Sequence, residues 1–288
     1  MTKKNDFFFR EYFPDLEQKQ VSSYNISYSK KLPLWIKIFL QWPSINTTIK
    51  KERKELNKII VEKGIDIVIS DNRFGLHSKK IKSVFVTHQL NLKTPVFKGF
   101  SNWLNRKYIH RFDEVWVPDY EEKVKRLSGE LSDSSKINIP VKYIGPKTAL
   151  EIADAITDKK EEFDYLFLLS GPEPQRTILE NIIFGFATKT KKKLAIVRGT
   201  SEPGPRNIGN AEVFDFVTGN VLKDLIVNSE TVICRSGYST LMDVHLLNKN
   251  KLVLIPTPGQ TEQEYLAELW HKKFKARKLE QKKFPEEI

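Results

Sequence analysis

Two polar loops, each following an apolar run and opening a helix-like stretch, carry the residues of this chain best suited to hold a charged ligand. The first is Cys234-Arg235-Ser236-Gly237-Tyr238-Ser239-Thr240, with Asp243 after it, and it follows Thr231-Val232-Ile233-Cys234. A helix that opens at Ser236-Gly237 presents unpaired backbone N–H groups at its positive end, which suits a phosphate, with Thr240 on the same first turn. Asp243 falls about two turns inside that helix, where a carboxylate can accept hydrogen bonds from ribose hydroxyls. Arg235 ends the apolar run and can pair with phosphate or with a neighbouring carboxylate. The second loop, Pro256-Thr257-Pro258-Gly259-Gln260-Thr261-Glu262-Gln263-Glu264, follows Leu252-Val253-Leu254-Ile255. Gln260, Gln263 and Glu264 suit the reading of a sugar or ribose, although singly they also fit a solvated helix start. Two such loops at the carboxyl ends of adjacent strands form a nucleotide crevice.

A third loop of the same kind, Leu169-Ser170-Gly171-Pro172-Glu173-Pro174-Gln175-Arg176-Thr177, follows Tyr165-Leu166-Phe167-Leu168. The N–H groups of Ser170 and Gly171 suit a diphosphate, Gln175 opens the helix, and Arg176 adds charge. By itself Ser-Gly-Pro is a common turn. Together, and in this order, the three loops resemble the donor-binding half of GT-B glycosyltransferases, nearest to the MurG type of family 28 that transfers N-acetylglucosamine from its UDP-sugar. The resemblance is strong between residues 163 and 266 and extends more weakly back to about residue 60. It implies an α/β chain of two Rossmann-like doubly wound domains: an acceptor-side domain over 1–145, a linker over 146–162, and a nucleotide-sugar domain over 163–288. It also implies that the Phe216-Val217 region meets the nucleobase, although a core phenylalanine fits that position equally.

The resembling enzymes begin with a strand, a glycine-rich loop and a helix. None of the 13 glycines here precedes Gly64, so that unit is expected to be missing and the first domain incomplete at its N-terminus. An exposed sheet edge and a poorly stable first domain are then expected. Phe7, Phe8, Phe9, Tyr12 and Phe13 are candidates to cover it, and residues 1–6 read as a tail.

The elements that must position these loops read as alternating strands and helices. Ile65–Ser70, Ser83–Thr87 and Glu114–Val117 are short, branched apolar runs, as expected of strands buried on both faces of a parallel sheet. Later strands are expected near 164–169, 194–197, 231–234 and 251–256. Helices are expected over Ser44–Glu62, Gly99–Arg111, 175–188, 220–227 and 238–247. A terminal helix is expected from the 261–263 region, reaching 275 on its firm stretch and about Lys283 on a longer reading. It carries Leu266, Leu269, Trp270 and Phe274 at helical spacing. Those residues pack either in the second domain or back onto the first.

On the acceptor side, Asp71, Asn72 and Arg73 end one strand, and Thr87-His88-Gln89 ends the next. Of the histidines, His88 alone stands at a strand terminus, where a base could take a proton from an acceptor hydroxyl. A structural histidine held by nearby backbone fits the same position. Arg198-Gly199 borders the same cleft or forms a surface turn.

The chain has 288 residues, 40% of them hydrophobic and 29% charged, which is a folded globular composition. Its single cysteine excludes an intrachain disulfide and points to a reduced, cytoplasmic setting. A net charge of +12 invites a polyanionic ligand, an anionic membrane surface or simply a soluble basic surface. Lys98, Arg106, Lys107 and Arg111 alternate with Phe100, Trp103, Leu104 and Ile109. With Leu34, Trp35, Ile38, Phe39, Leu40 and Trp42 they form either a peripheral membrane patch or a core. No nucleic-acid-binding motif is present, and nucleic acid is not an expected partner.

The expected function is metal-independent, inverting transfer of a sugar from a nucleotide diphosphate, favoured as UDP, to a hydroxyl acceptor that is lipid- or glycan-linked. No cofactor is expected beyond the donor itself, and the absence of any Asp-x-Asp disfavours the metal-dependent alternative. A nucleotide-sugar-binding remnant without turnover is the competing reading. A nucleotide-sugar epimerase shares the architecture but wants more acidic and histidine groups around the sugar.

Overall fold

The computed structural model describes residues 13–22, 34–150, 162–284 and 286–287, without the side chains of 34–42. The aromatic cover at Phe7, Phe8, Phe9 and Tyr12, the side chains proposed for a membrane patch between Leu34 and Trp42, and most of the linker lie outside these residues. Phe13 is exposed.

Helix α1 (Leu34–Lys63) leads into a four-stranded parallel sheet of β1 (Ile67–Asp71), β2 (Lys82–Val86), β3 (Glu114–Val117) and β4 (Val141–Tyr143), in that order. Helix α2 (Lys98–Ile109) joins β2 to β3. Phe85, Leu90, Ile109, Phe112, Val115 and Val117 make its core. Leu56 and Ile60 of α1 pack on Val68. The helix begins ten residues before the expected Ser44 and passes through Pro43. Strand β1 also departs from expectation. Among the described residues it has one neighbour, β2, and Ile67 and Ile69 are 44% and 53% exposed while Val68 and Ser70 turn inward. An apolar run does not reveal whether its strand is central or at an edge.

The second sheet holds seven strands: β5 (Phe163–Leu168), β6 (Leu194–Val197), β7 (Asn207–Ile208), β8 (Ala211–Phe214), β9 (Ser229–Cys234), β10 (Leu252–Leu254) and β11 (Arg277–Lys278). Their order is β11-β10-β9-β5-β6-β8-β7, parallel except for β7 against β8. The connecting helices are α3 (Gln175–Ala187), α4 (Gly219–Val227), α5 (Tyr238–Leu246) and α6 (Thr261–Phe274). Side chains alternate along each strand. Leu166, Leu168, Val232, Cys234, Leu252 and Leu254 therefore share a core on one side, and Phe167, Leu169, Ile196, Ile233, Val253 and Ile255 share one on the other. Cys234 is a core residue, and burial pushes its thiol up to about 12.

From β5 the chain winds outward through β6 and β8, then returns to β9 on the other side of β5. The β5/β9 boundary is thus the topological switch point, where diverging connections leave a crevice at the carboxyl ends.

Helix α6 stops at Phe274 because Lys275 adopts φ 58° and the chain turns back to pair β11 with β10. The longer helix expected to Lys283 is not formed. The short α6 joins the two halves. Trp270 donates its indole N–H to the Leu127 carbonyl at 2.9 Å, and Lys273 Nζ reaches the Arg126 carbonyl at 2.6 Å. Leu127, Leu131 and Leu150 belong to the same buried cluster as Leu266 and Trp270. The receiving loop is shaped by buried Asp119, which accepts the N–H groups of Tyr120, Leu127 and Ser128 and the hydroxyls of Ser128 and Ser132.

Candidate functional site

Three loops meet at the carboxyl ends of the adjacent strands β5, β9 and β10. Gly171 sits at φ 100°, a conformation that glycine adopts without strain, and places the Ser170-Gly171 backbone beside Thr257. Gly237 is the N-cap of α5, with no side-chain cap and open space where a Cβ would project. The first turn behind it carries exposed Ser239 and half-buried Thr240. Asp243 is half-buried on the same helix and accepts a 2.6 Å hydrogen bond from Thr148 Oγ1. Burial pushes its carboxyl up to about 6, and the Thr148 hydroxyl acts in the opposite direction.

Several side chains expected at a phosphate or sugar brace the loops themselves. Arg235 is fully buried. Its guanidinium donates to the carbonyls of Ile255, Pro256 and Gln175 and to Gln281 Oε1, over 2.7–3.2 Å. Burial lowers its pKa to about 10. Gln175 thus meets Arg235 through its backbone. Arg176, also buried, donates to Glu173 and Glu180, while Arg198 bridges Glu180 and Asp215. Ser236 Oγ donates to the Gln263 carbonyl at 2.7 Å. Gln263 Oε1 accepts the Thr257 N–H at 2.8 Å, and Glu264 Oε1 accepts the Gly259 N–H at 3.0 Å. Gln260 is the N-cap of α6, again without a side-chain cap. Phe216 is 40% exposed beyond β8, while Val217 packs on the core. The signals for arginine near phosphate and for arginine clamping loop carbonyls are the same in sequence. Burial separates them.

Across from these loops stands His88, at the end of β2. Its Nε2 lies 2.9 Å from Glu262 Oε1 on the first turn of α6, and its ring stacks on Tyr238 at 4.1 Å. Gln89 Nε2 donates to the other oxygen of Glu262. Asp71 ends β1 within electrostatic reach of His88; desolvation raises its carboxyl pKa, and His88 pulls it the other way. Asn72 adopts φ 54° and accepts the Thr87 hydroxyl at 3.2 Å. Arg73 turns away from this group, to buried Glu52 on α1 and the Ser22 carbonyl. The acceptor-side role expected of Arg73 is therefore not what its contacts serve, whereas Asp71 and His88 are brought together. Glu262, Tyr238, Thr148 and Thr257 join the site without having been singled out by the sequence. Each acts across a long sequence separation that no local pattern encodes.

On the outer surface of α2, Phe97, Phe100 and Trp103 are 70%, 56% and 51% exposed. Lys107 lies over the Trp103 ring, and Arg111 over the ring of Tyr108. Ile109 is in the core and Leu104 is half-buried, so the expected aromatic-basic stretch is divided between surface and interior.

Residues 172–288 match the glycosyltransferase family 28 C-terminal domain. The second half of the chain is thus similar to that domain. The whole chain has the GT-B architecture. It is similar to the glycotransferase of kitacinnamycin (TM-score 0.57, 14% identity, 89% of this chain and 74% of that one). It is also similar to Arabidopsis thaliana UGT89C1 complexed with UDP-L-rhamnose (TM-score 0.57, 11% identity, 98% and 77%). Acinetobacter baumannii MurG is a third (TM-score 0.51, 11% identity, 97% and 75%). No curated protein sequence matches the chain. The match covers the loops after β9 and β10 and begins at Pro172, just after β5 and the Ser170-Gly171 turn that form the other wall of the crevice.

Proposed function

We propose that the chain transfers a sugar from a nucleotide diphosphate, a UDP-sugar, to a hydroxyl acceptor with inversion and without a metal. The observation that carries this reading is the placement of the α5 N-terminus and the Ser170-Gly171 loop at the β5/β9 switch point, facing His88. The diphosphate lies against the backbone N–H groups of Gly237 to Thr240 and of Gly171, and Asp243 accepts from the ribose. As the acceptor oxygen bonds to the anomeric carbon, the bond from that carbon to the diphosphate breaks and its electron pair leaves with the phosphate. The helix N-terminus stabilises that developing charge, the task a metal performs elsewhere. The acceptor's proton passes to His88. Turnover tests this directly. UDP release from UDP-N-acetylglucosamine, with water as the default acceptor, should depend on the protein and fall on His88→Ala; protein-independent release would count against transfer.

The acceptor side adds a surface. Phe97, Phe100 and Trp103 project beside Lys98, Arg106 and Lys107, and the loop from His88 to Phe97 joins this patch to the cleft. Aromatic groups among cations suit the interface of an anionic bilayer. Among the described residues no helix is long and apolar enough to cross a membrane. The reading is peripheral contact at the cytoplasmic face, presenting a lipid-linked hydroxyl to His88.

A further inference from the structure

His88 is held from the opposite half of the molecule. Glu262 opens α6, 174 residues further along the chain, and its Oε1 lies 2.9 Å from His88 Nε2. An ionised carboxylate can only accept a hydrogen bond, so the Nε2 facing it must carry a proton. In the neutral ring the lone pair then resides on Nδ1. Glu262 is itself fixed, because Gln89 Nε2 donates to its second oxygen. The ring plane is set independently by Tyr238, stacked at 4.1 Å with an interplanar angle of 22°. Tyr238 is in turn pinned by donating its hydroxyl to the Pro118 carbonyl at 2.7 Å. Three elements, β2, α5 and α6, thus determine one imidazole.

The partial burial of the pair separates it from an ordinary surface contact. The His88 side chain is 16% exposed and that of Glu262 34%. Two freely solvated side chains would gain little from this contact.

We propose that Glu262 is the positioning residue for His88. It selects the tautomer with Nδ1 free, aims that atom into the cleft, and stabilises the imidazolium formed when Nδ1 takes the acceptor's proton. This rests on His88 as the proton acceptor of the proposed transfer. The consequence is that the base belongs to the first half and its orienting carboxylate to the donor half. The base is then set only where α6 meets the end of β2. A different role for Glu262, hydrogen bonding to the donor sugar, is distinguished by the test.

The test is the long-range proton–nitrogen spectrum of full-length protein labelled with nitrogen-15 in histidine, with His88 assigned by its loss in His88→Asn. The expected result is a protonated Nε2 and an unprotonated Nδ1 in the free protein. Glu262→Gln, whose carbonyl still accepts, keeps that pattern. Glu262→Ala gives the averaged nitrogen shifts of a ring exchanging between tautomers. UDP affinity by calorimetry stays unchanged in both variants, while UDP release from UDP-N-acetylglucosamine falls about ten- to a hundredfold in Glu262→Ala. An unchanged His88 pattern in Glu262→Ala overturns the proposal, as does weakened UDP-N-acetylglucosamine binding without a change in the ring. Should His88→Asn leave UDP release untouched, the proton-acceptor reading fails instead, and the spectrum still decides whether Glu262 orients the ring.

Discussion

The Tyr238 hydroxyl donates to the Pro118 carbonyl across 2.7 Å, so the first residue of the helix facing the crevice is anchored in the other half of the chain. The same ring supports His88. A single tyrosine therefore links the helix start proposed to hold the diphosphate to the base proposed to act on the acceptor.

Tyr238→Phe keeps the ring and removes only the hydroxyl, leaving a buried carbonyl without its donor. Such a loss costs about 1–3 kcal/mol. Denaturant unfolding should show a lower midpoint with an unchanged slope, and UDP affinity should fall less than turnover.

Asp243 makes stability and donor binding depend on pH in opposite directions. Its carboxyl stands at about 6, against 3.8 for a free aspartate. Between those values the folded state binds more protons than the unfolded one, so stability falls as pH rises through that window. The full cost, about 3 kcal/mol at most, is present above it. Asp243→Asn should thus be more stable than the parent at about pH 8 and no more stable at about pH 4, by denaturant unfolding. The charge that costs stability is the one a ribose needs. UDP affinity of the parent should therefore rise as pH rises from about 5 to 7 and lose that dependence in the variant.

Arg235 contacts loop carbonyls and Gln281 from a fully buried position. Arg235→Met removes the donors for three carbonyls and for Gln281. A loss of about 1–3 kcal/mol for each buried oxygen left without a donor is expected. Thermal unfolding checks it. Retained stability with abolished UDP binding would instead make the arginine a ligand contact.

The α2 patch predicts lipid binding. Cosedimentation with vesicles containing phosphatidylserine should be strong at low salt and weaken as salt rises. Replacing Phe97, Phe100 and Trp103 together by Ser should abolish it without altering UDP affinity. Equal binding to neutral vesicles would contradict the charge argument.

The strands of the second sheet were legible because two-sided burial writes a continuous apolar run, as in Leu166 to Leu169 and Leu252 to Ile255. The hairpin of β7 and β8 was not, because two short strands around Gly209 offer too few residues to show a period. The apolar run of β1 did not show that Ile67 and Ile69 would be exposed, because hydrophobic side chains read the same in a central and an edge strand. At the site, backbone features such as Gly171, Gly237 and the start of α5 could be read from small residues after apolar runs. The side chains could not. Arg235, Gln263 and Glu264 have the chemistry of ligand contacts, and only tertiary packing shows that they meet loop backbone, while Arg176 meets the carboxylates of Glu173 and Glu180. The His88–Glu262 pair depends on two halves meeting, which no local pattern records.

The most direct measurement is calorimetric titration of the folded protein with UDP and UDP-N-acetylglucosamine, in parallel with Asp243→Ala. The account predicts saturable binding of both nucleotides without added metal, weakened at least about tenfold by the substitution, as expected when a charge-assisted ribose contact is lost. Absence of binding by folded protein, or equal binding by the Asp243→Ala variant, would contradict the placement of the donor at the β5/β9 crevice.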